Sequence, residues 1–243
     1  MTTGNTEHRP GHEWTDAARV SDYIERMDNR EDVERAPIFE YMTRLIGAEP
    51  DAELSVLDVG SGYGPVATAV LDAYPNAHAI GLDISEAMME VGRERMARFG
   101  DRFRYMVGDF GDGKLPDEAV AAGPYDVVVS ARAIHHLSAE LMASLYANIY
   151  KNLKPRGSFF NLDTASPETD MLRDRYRAAR RAEGSGYERA RRPSNEPSHT
   201  SMFPHHRDAT LLRHLEWLKA GGFDAYDCFY KRMDRALIGG FKA

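Results

Sequence analysis

The sequence predicts an α/β protein with a doubly wound, mostly parallel sheet of about seven strands. Short β-rich runs alternate with amphipathic stretches from about Leu54 to Asp163, a rhythm typical of parallel strands with helices on both faces. A glycine-rich turn follows the first run directly, as in nucleotide-binding folds. Two further β-rich runs meet around residues 231–234 and predict a closing antiparallel hairpin.

Five β-rich runs in the first part of the chain define the predicted parallel strands. Each is flanked by Gly, Pro or Asp, which punctuate strands. The runs are Ser55–Val59, His78–Leu82, Phe103–Val107, Tyr125–Val129 and Gly157–Leu162. Their order predicts that ligands bind at the carboxyl ends of the strands.

A helix is predicted between the fourth and fifth runs. Leu141, Leu145 and Ile149 recur every four residues after Ser138, a residue type that caps helices, and the pattern continues to Leu153. Pro155 and Gly157 are expected to stop this helix. The pattern predicts packing, not chemistry.

We expect a single domain over residues 1–243. Apolar positions predict a helical N-terminal cap over 15–48, before the core of 54–163. An arginine-rich helical insert and a lid are expected over 164–206, followed over 207–243 by a helix at Arg207–Lys219 and the closing hairpin.

Composition excludes several classes of protein. Apolar residues make up 42% and charged residues 28% of the 243, a globular balance that argues against a disordered or fibrous chain. The single Cys228 cannot form an intramolecular disulfide, so we expect a reducing, cytoplasmic location. No apolar stretch predicts a signal peptide or a membrane span.

The net charge of -7 disfavours nucleic acid as a partner, although one segment is basic. Arg173–Arg192 holds eight arginines and three acidic residues. The segment could bind an RNA backbone, but a helix with a solvated basic face is the simpler interpretation.

The strongest local signal is the turn Gly60-x-Gly62-x-Gly64 after the first strand, with Asp58 inside that strand. Glycines let backbone approach a ligand closely. A dinucleotide site would have its third glycine at the position of Pro65, so the turn favours another nucleotide-like ligand.

With this turn, the sequence resembles the class I S-adenosylmethionine-dependent methyltransferases over roughly residues 54–163. The resemblance implies a Rossmann-like seven-stranded sheet and S-adenosylmethionine as cofactor. It implies that Asp83 accepts hydrogen bonds from the ribose hydroxyls, and that Asp109 and Phe110 hold the adenine. Arg35 would reach the methionine carboxylate. The expected cofactor-binding residues are Tyr23, Arg35, Asp58, Gly60, Ser61, Gly62, Gly64, Asp83, Ile84, Met88, Gly108, Asp109, Phe110, Ser130 and Ala131.

His135 and His136 follow the fourth strand and are the candidate catalytic residues, because imidazole can take a proton from an acceptor near neutral pH. Methyl transfer can also proceed by alignment alone, in which case these histidines pack. Aromatic residues outside the sheet could enclose an aromatic or cationic acceptor. The expected substrate-binding residues are Trp14, Arg132, His135, Tyr176, Phe203 and His206.

His199, His205 and His206 lie near Asp208 but match no metal-binding spacing, so we predict a lid lining and no metal site.

The predicted function is methyl transfer to a small organic acceptor, such as an aromatic natural-product intermediate, on carbon, nitrogen or oxygen. Two main alternatives remain: an RNA methyltransferase, and an enzyme that modifies the cofactor, since the layout is also similar to carboxy-S-adenosylmethionine synthases; a non-catalytic cofactor-binding protein is a third. For the second, Arg207 or Arg213 would hold a carboxylate. A homodimer is compatible with the sequence.

Overall fold

The computed structural model describes Trp14, Val20, Tyr23, Ile24, residues 34–183 and residues 209–243. A seven-stranded sheet with the order β3-β2-β1-β4-β5-β7-β6 forms its centre. The first five strands pair in parallel, and β7 pairs antiparallel with both β5 and β6. This arrangement confirms the predicted α/β class and the closing hairpin.

The elements follow one another as strand and helix. The strands are β1 Ser55–Val59, β2 His78–Asp83, β3 Phe103–Val107, β4 Tyr125–Ala131, β5 Leu153–Thr164, β6 Ala225–Arg232 and β7 Arg235–Phe241. The α-helices are α1 Ala36–Ile46, α2 Pro65–Ala73, α3 Glu86–Met96, α4 Asp117–Ala122, α5 Ala139–Asn152, α6 Asp170–Ala182 and α7 Leu211–Gly221. Short 3-10 helices occupy Ala97–Arg102 and Ile134–His136.

Apolar clusters cover both faces of the sheet. On one face, α4, α5 and α7 contribute Ala119, Leu145 and Leu218 to one buried cluster. On the other face, α1 and α2 contribute Met42 and Val70 to a second. With both faces covered, a ligand reaches the sheet at the ends of its strands.

Several predicted boundaries were wrong, and β2, β4 and β5 extend beyond the runs predicted for them. The helix α5 ends at Asn152, so Leu153 belongs to β5 and not to the helix. The helix predicted from Arg207 begins at Leu211, because the hydroxyl of Thr210 accepts a hydrogen bond from the backbone N–H of Arg213 and caps it. Arg207 lies outside the described residues.

The described part of the N-terminal cap packs onto the carboxyl side of the sheet. Val20 and Ile24 form a buried cluster with Tyr63, which lies in the glycine-rich turn, and with Met88 on α3. Val20 and Ile24 therefore lie over the ends of the first two strands. Among the residues that the structure describes, no helix is long and apolar enough to span a membrane.

Candidate functional site

The glycine-rich turn is held tightly against the end of β2. The backbone N–H groups of Gly60 and Ser61 both donate to the carbonyl of Leu82, at 2.8 and 3.0 Å. Gly60 has a φ of +71°, and a Cβ atom there would lie 2.1 Å from the Cβ of Ala133. No other residue type fits at this position without moving the loop after β4.

Gly62 and Asp83 are joined at the centre of the site. The backbone N–H of Gly62 donates to Oδ2 of Asp83 at 2.7 Å, and the N–H of Ser85 donates to Oδ1 at 2.8 Å. Burial raises the pKa of Asp83, although these N–H groups oppose the shift. A Cβ on Gly62 would meet no protein atom within 4 Å, so the space beside this glycine is open to a ligand.

Asp58 lies beneath the turn and is fully buried. Its Oδ2 accepts a hydrogen bond from the N–H of Ala67 in the first turn of α2, at 3.1 Å. Burial, with the nearby Asp83 adding to it, raises the pKa of Asp58 to about 7. Asp58 therefore supports the turn from below and does not line the cavity described next.

A cavity of about 770 Å³, including its open mouth, lies at the carboxyl ends of β1, β2 and β4. It brings together most of the predicted site residues. Its walls are Trp14, Tyr23, Arg35, Gly60, Ser61, Gly62, Tyr63, Pro65, Asp83, Ile84, Met88, Asp109, Phe110, Gly111, Ala131, Arg132, Ala133, His136 and Leu137. Sequence reasoning missed five of these residues, Tyr63, Pro65, Gly111, Ala133 and Leu137, although all five adjoin its motifs.

Aromatic rings close one side of the cavity. The hydroxyl of Ser85, the N-cap residue of α3, donates to the carbonyl of Trp14 at 2.5 Å. The Trp14 ring meets Tyr23 edge to face at 4.8 Å and His136 at 6.0 Å between centroids. This wall can stack against a flat organic ligand.

The cavity also holds two arginines from separate elements. Arg35 precedes α1, and Arg132 follows β4 with a φ of +57°. Burial lowers the pKa of Arg35, and the positive charge of Arg132 acts in the same direction. Guanidinium groups in this position can bind a carboxylate.

His135 and His136 differ in their surroundings. His136 lines the cavity, whereas Nδ1 of His135 lies 2.6 Å from Oδ1 of Asp163. The backbone N–H of His135 also donates to Oδ2 of Asp163 at 3.0 Å. Sequence reasoning missed Asp163; a charged residue directly after the predicted fifth strand was the available signal.

Several other predicted site residues lie outside the cavity wall. The hydroxyl of Ser130 donates to the carbonyl of Val59 at 2.7 Å and ties β4 to β1. Gly64 packs against Met96, and Gly108 against Leu82 and Pro116.

Tyr176 on α6 contacts Lys231, whose ammonium lies 3.2 Å from the phenol oxygen, and is not among the described cavity residues. Its position follows from α6, none of whose residues is buried. Phe203, His206 and the predicted histidine cluster of the lid lie outside the described residues. Within the described part of the chain, no group of three metal-ligating side chains converges.

Comparison with known proteins identifies the domain that surrounds this cavity. A family described as "Methyltransferase domain" matches residues 56–157. The ubiquinone/menaquinone biosynthesis C-methyltransferase of Methylobacterium nodulans is 33% identical over 126 residues, which cover 50% of this chain and 47% of that protein. Residues 56–157 are therefore a methyltransferase domain, and the chain is similar to the class I S-adenosylmethionine-dependent methyltransferases. Its cofactor is S-adenosylmethionine.

Two further similarities show how much of each chain is alike. The squalestatin tetraketide synthase of Cochliobolus lunatus is 27% identical over 122 residues, 48% of this chain and 5% of that protein. The chain thus spans about half or less of the length of the curated relatives that it matches. A solved structure from Methanococcus maripaludis, described as an S-adenosyl-L-methionine-dependent methyltransferase, has a TM-score of 0.60 at 19% identity and covers all of this chain and 98% of its own. It shows that the fold is shared.

The cavity fits this cofactor. Open space lies beside Gly62, and a partly desolvated carboxylate, Asp83, can accept hydrogen bonds from hydroxyl groups. Oγ of Ser61, at the same wall, has no hydrogen-bond partner among the described residues. A nucleoside has polar and apolar parts. They match the open space beside Gly62, the carboxylate of Asp83 and the hydroxyl of Ser61.

Proposed function

We propose that this enzyme transfers a methyl group to a small organic acceptor that binds beside His136. The observation that carries the proposal is that His136, Trp14 and Arg132 line the same cavity as Asp83 and Asp109. Potential acceptor contacts and the proposed cofactor contacts therefore share one enclosed space. The names of the relatives, a quinone C-methyltransferase and a tetraketide synthase, support a small-molecule or natural-product substrate.

The proposed cofactor contacts follow from the chemistry of the wall. Asp83 accepts from the ribose hydroxyls, and Asp109 with Phe110 borders the adenine. Arg35 binds the methionine carboxylate, with Tyr23 beside it. When bound, S-adenosylmethionine supplies an electrophilic methyl group on a sulfonium. The glycine-rich turn brings backbone close to the cofactor, and Ile84, Met88 and the N-terminal rings exclude water from it.

The proposed acceptor contacts are Trp14, Arg132 and His136. Trp14 stacks on the acceptor, and Arg132 hydrogen-bonds a polar substituent. His136 takes the proton from an acceptor that must lose one, because its ring lies at the wall while His135 is engaged with Asp163. Alignment of the acceptor with the methyl group supplies the remainder of the acceleration. Carbon, nitrogen and oxygen acceptors are all compatible with this arrangement.

The two alternatives have weaker support. In the described part of the basic segment, Arg173 and Arg177 lie close to Asp170 and Asp174 on the same helix, which favours a solvated helix face over an RNA-binding strip. For the cofactor-modifying alternative, Arg213 is exposed on α7 and lies 3.4 Å from Glu216. It is not among the cavity residues.

The test is product analysis with methyl-deuterated cofactor. The full chain is incubated with aromatic hydroxyl, amine and enol compounds, with total RNA, and with no acceptor. A mass gain of one labelled methyl group on a small compound, lost in Asp83→Asn, is the expected result. Labelled RNA, or a mass change in the cofactor without acceptor, would replace the proposal with the corresponding alternative.

A further inference from the structure

Asp163 is a buried carboxylate that the proposed contacts do not use. It ends β5 and is 2% exposed. Three nitrogen atoms surround it: Nδ1 of His135 at 2.6 Å and the backbone N–H groups of His135 and Thr164 at 3.0 and 2.8 Å. Burying a carboxylate is costly unless it is paired in this way.

The surroundings of Asp163 keep it ionised and fix a proton on His135. Burial acts to raise the pKa of Asp163, but His135 and the N–H donors outweigh burial, and the pKa is lowered. A carboxylate oxygen and an imidazole nitrogen 2.6 Å apart would repel each other if both were acceptors. Nδ1 of His135 therefore carries a proton, and the contact fixes the orientation of that ring.

The fixed ring of His135 lies against His136. The centroids of the two rings are 4.2 Å apart, with an interplanar angle of 33°. The ring of His136 also lies 6.0 Å from the ring of Trp14, between centroids. His135 and His136 are each 9% exposed, so the arrangement is largely shielded from solvent. A row of contacts thus leads from the carboxylate through His135 to the histidine at the cavity wall.

We infer that Asp163 and His135 form a positioning pair. The pair holds the ring of His136 toward the acceptor and raises the affinity of His136 for a proton. The inference rests on the proposed function of His136. It narrows the acceptor to groups that lose a proton on methylation, such as a phenol, an enol or an N–H. The new bond joins the methyl carbon to the acceptor atom as the carbon–sulfur bond breaks. The proton released by the acceptor passes to His136, whose positive charge the Asp163 carboxylate then stabilises.

Other charged and titratable groups lie near Asp163 or around the cavity. Tyr146 on α5 and His214 on α7 interact electrostatically with Asp163. Arg35, Arg132, Asp83, Asp109, Tyr23 and Tyr63 line the cavity that His136 faces. The test therefore compares variants at one position and leaves these groups in place.

The decisive measurement is an NMR titration of His136 in the full chain bound to S-adenosylhomocysteine, with histidine labelled in the ring. Asp163→Asn keeps the shape but removes the charge, and should lower the pKa of His136 by about half a unit to one unit. Asp126→Asn is the control, because Asp126 is a carboxylate of β4 that pairs with Lys154 at 2.7 Å and is not a cavity residue. It should leave the titration unchanged.

A second variant covers the case in which Asp163→Asn does not fold. His135→Asn keeps an N–H group for the carboxylate but removes the ring against His136. It should reduce kcat at least tenfold and leave the affinity for S-adenosylhomocysteine within twofold. Thermal denaturation verifies that each variant is folded.

The outcomes separate the inference from the proposed function. An unchanged His136 titration in Asp163→Asn overturns the positioning pair, whatever the activity. If Asp163→Asn cannot be folded, unchanged kcat in His135→Asn overturns it. A shifted titration in an enzyme that methylates no proton-bearing acceptor supports the pair and overturns the proposed function. A shifted titration, with the acidic limb of the kcat/KM profile moved by the same amount, supports both.

Discussion

The proposed cofactor side of the cavity is built mainly from backbone and carboxylates at the ends of consecutive parallel strands, whereas the acceptor side is built from side chains of separated segments. Gly60, Gly62 and Asp83 lie within 24 residues of one another and are joined by short N–H contacts. Trp14, Arg132 and His136 come from opposite ends of the first 136 residues. The first side is therefore specified locally, and the second depends on tertiary packing.

The two sides should accordingly respond differently to substitution. Changes on the cofactor side should weaken cofactor binding, and at Gly60, whose backbone has no alternative position, they should also affect folding. Changes on the acceptor side should affect turnover while the cofactor still binds. The predictions below concern the cofactor side first and then regions outside the cavity, in order of expected effect.

Gly60→Ala should have the largest effect, a loss of about 3 kcal/mol in the free energy of unfolding. The added methyl group would lie 2.1 Å from Ala133, in addition to the strain of a positive φ. Gly47→Ala is the matched control, because Gly47 has a similar φ of +69° and an added Cβ there would meet no atom closer than 3.9 Å. It should lose only about 1 kcal/mol in urea denaturation. Equal losses would contradict a rigid turn.

Gly62→Ala separates folding from binding on the same turn. Gly62 has a positive φ of +55°, as Gly47 has, and its added Cβ would meet only the open cavity. The variant should unfold like Gly47→Ala but bind S-adenosylmethionine at least tenfold more weakly, measured by calorimetry.

Asp83→Ala should weaken cofactor binding by about 2 kcal/mol, or about 30-fold, since it removes a charged acceptor for two hydroxyl groups. Asp101→Ala, an exposed acidic residue before β3, serves as the control. Cofactor affinity that is unchanged in Asp83→Ala would refute the assignment of the β2 end.

Two buried groups outside the cavity, Asp58 and His214, should make opposed contributions to the pH dependence of stability. The pKa of Asp58 is about 7 in the folded protein against about 3.9 unfolded, so the folded state retains a proton and stability falls as pH rises through this window. The pKa of His214, lowered by burial to about 4 against about 6.5 unfolded, has the opposite effect, and stability is lost as pH falls through that window. Each slope is at most about 1.4 kcal/mol per pH unit.

Single variants should expose these opposed slopes in urea denaturation between pH 4.5 and 6.5. Compared with the unchanged protein, Asp58→Asn should make the slope of stability against pH more positive, and His214→Gln should make it more negative. Both replacements retain a hydrogen-bonding group, for Ala67 and for the Tyr146 hydroxyl respectively. Parallel profiles in the two variants would contradict the assigned shifts.

The smallest effect is expected outside both sides. Arg177→Gln with Arg181→Gln on α6 should leave kcat/KM for a small acceptor within twofold, because α6 buries none of its residues and Arg177 lies 3.4 Å from Asp174 on the surface. Filter binding of RNA at two salt concentrations provides the comparison. Loss of both RNA binding and activity would revive the nucleic-acid alternative.

The contrast also explains how much the sequence could predict. The strands and the glycine-rich turn were predictable because each is marked by neighbouring residues in the sequence: a β-rich run, the Gly, Pro or Asp residues beside it, or the glycine motif. β1 and β3 have the predicted bounds. Asp163 was not, since it lies one residue beyond the predicted fifth strand and meets a histidine 28 positions earlier in the chain. Tyr176 could not be placed from composition, because an amphipathic pattern does not say which neighbour a helix faces.

The position of β7 between β5 and β6 has a consequence for biosynthesis. Asp163 pairs in register with Ala236, so β5 acquires its second neighbour only after 73 further residues have been added. During vectorial synthesis, β1 to β4 and the turn around Gly60 can associate on the ribosome well before that neighbour emerges. The nucleoside half of the pocket can thus mature early, while the carboxylate behind His135 is secured only when the last hairpin docks.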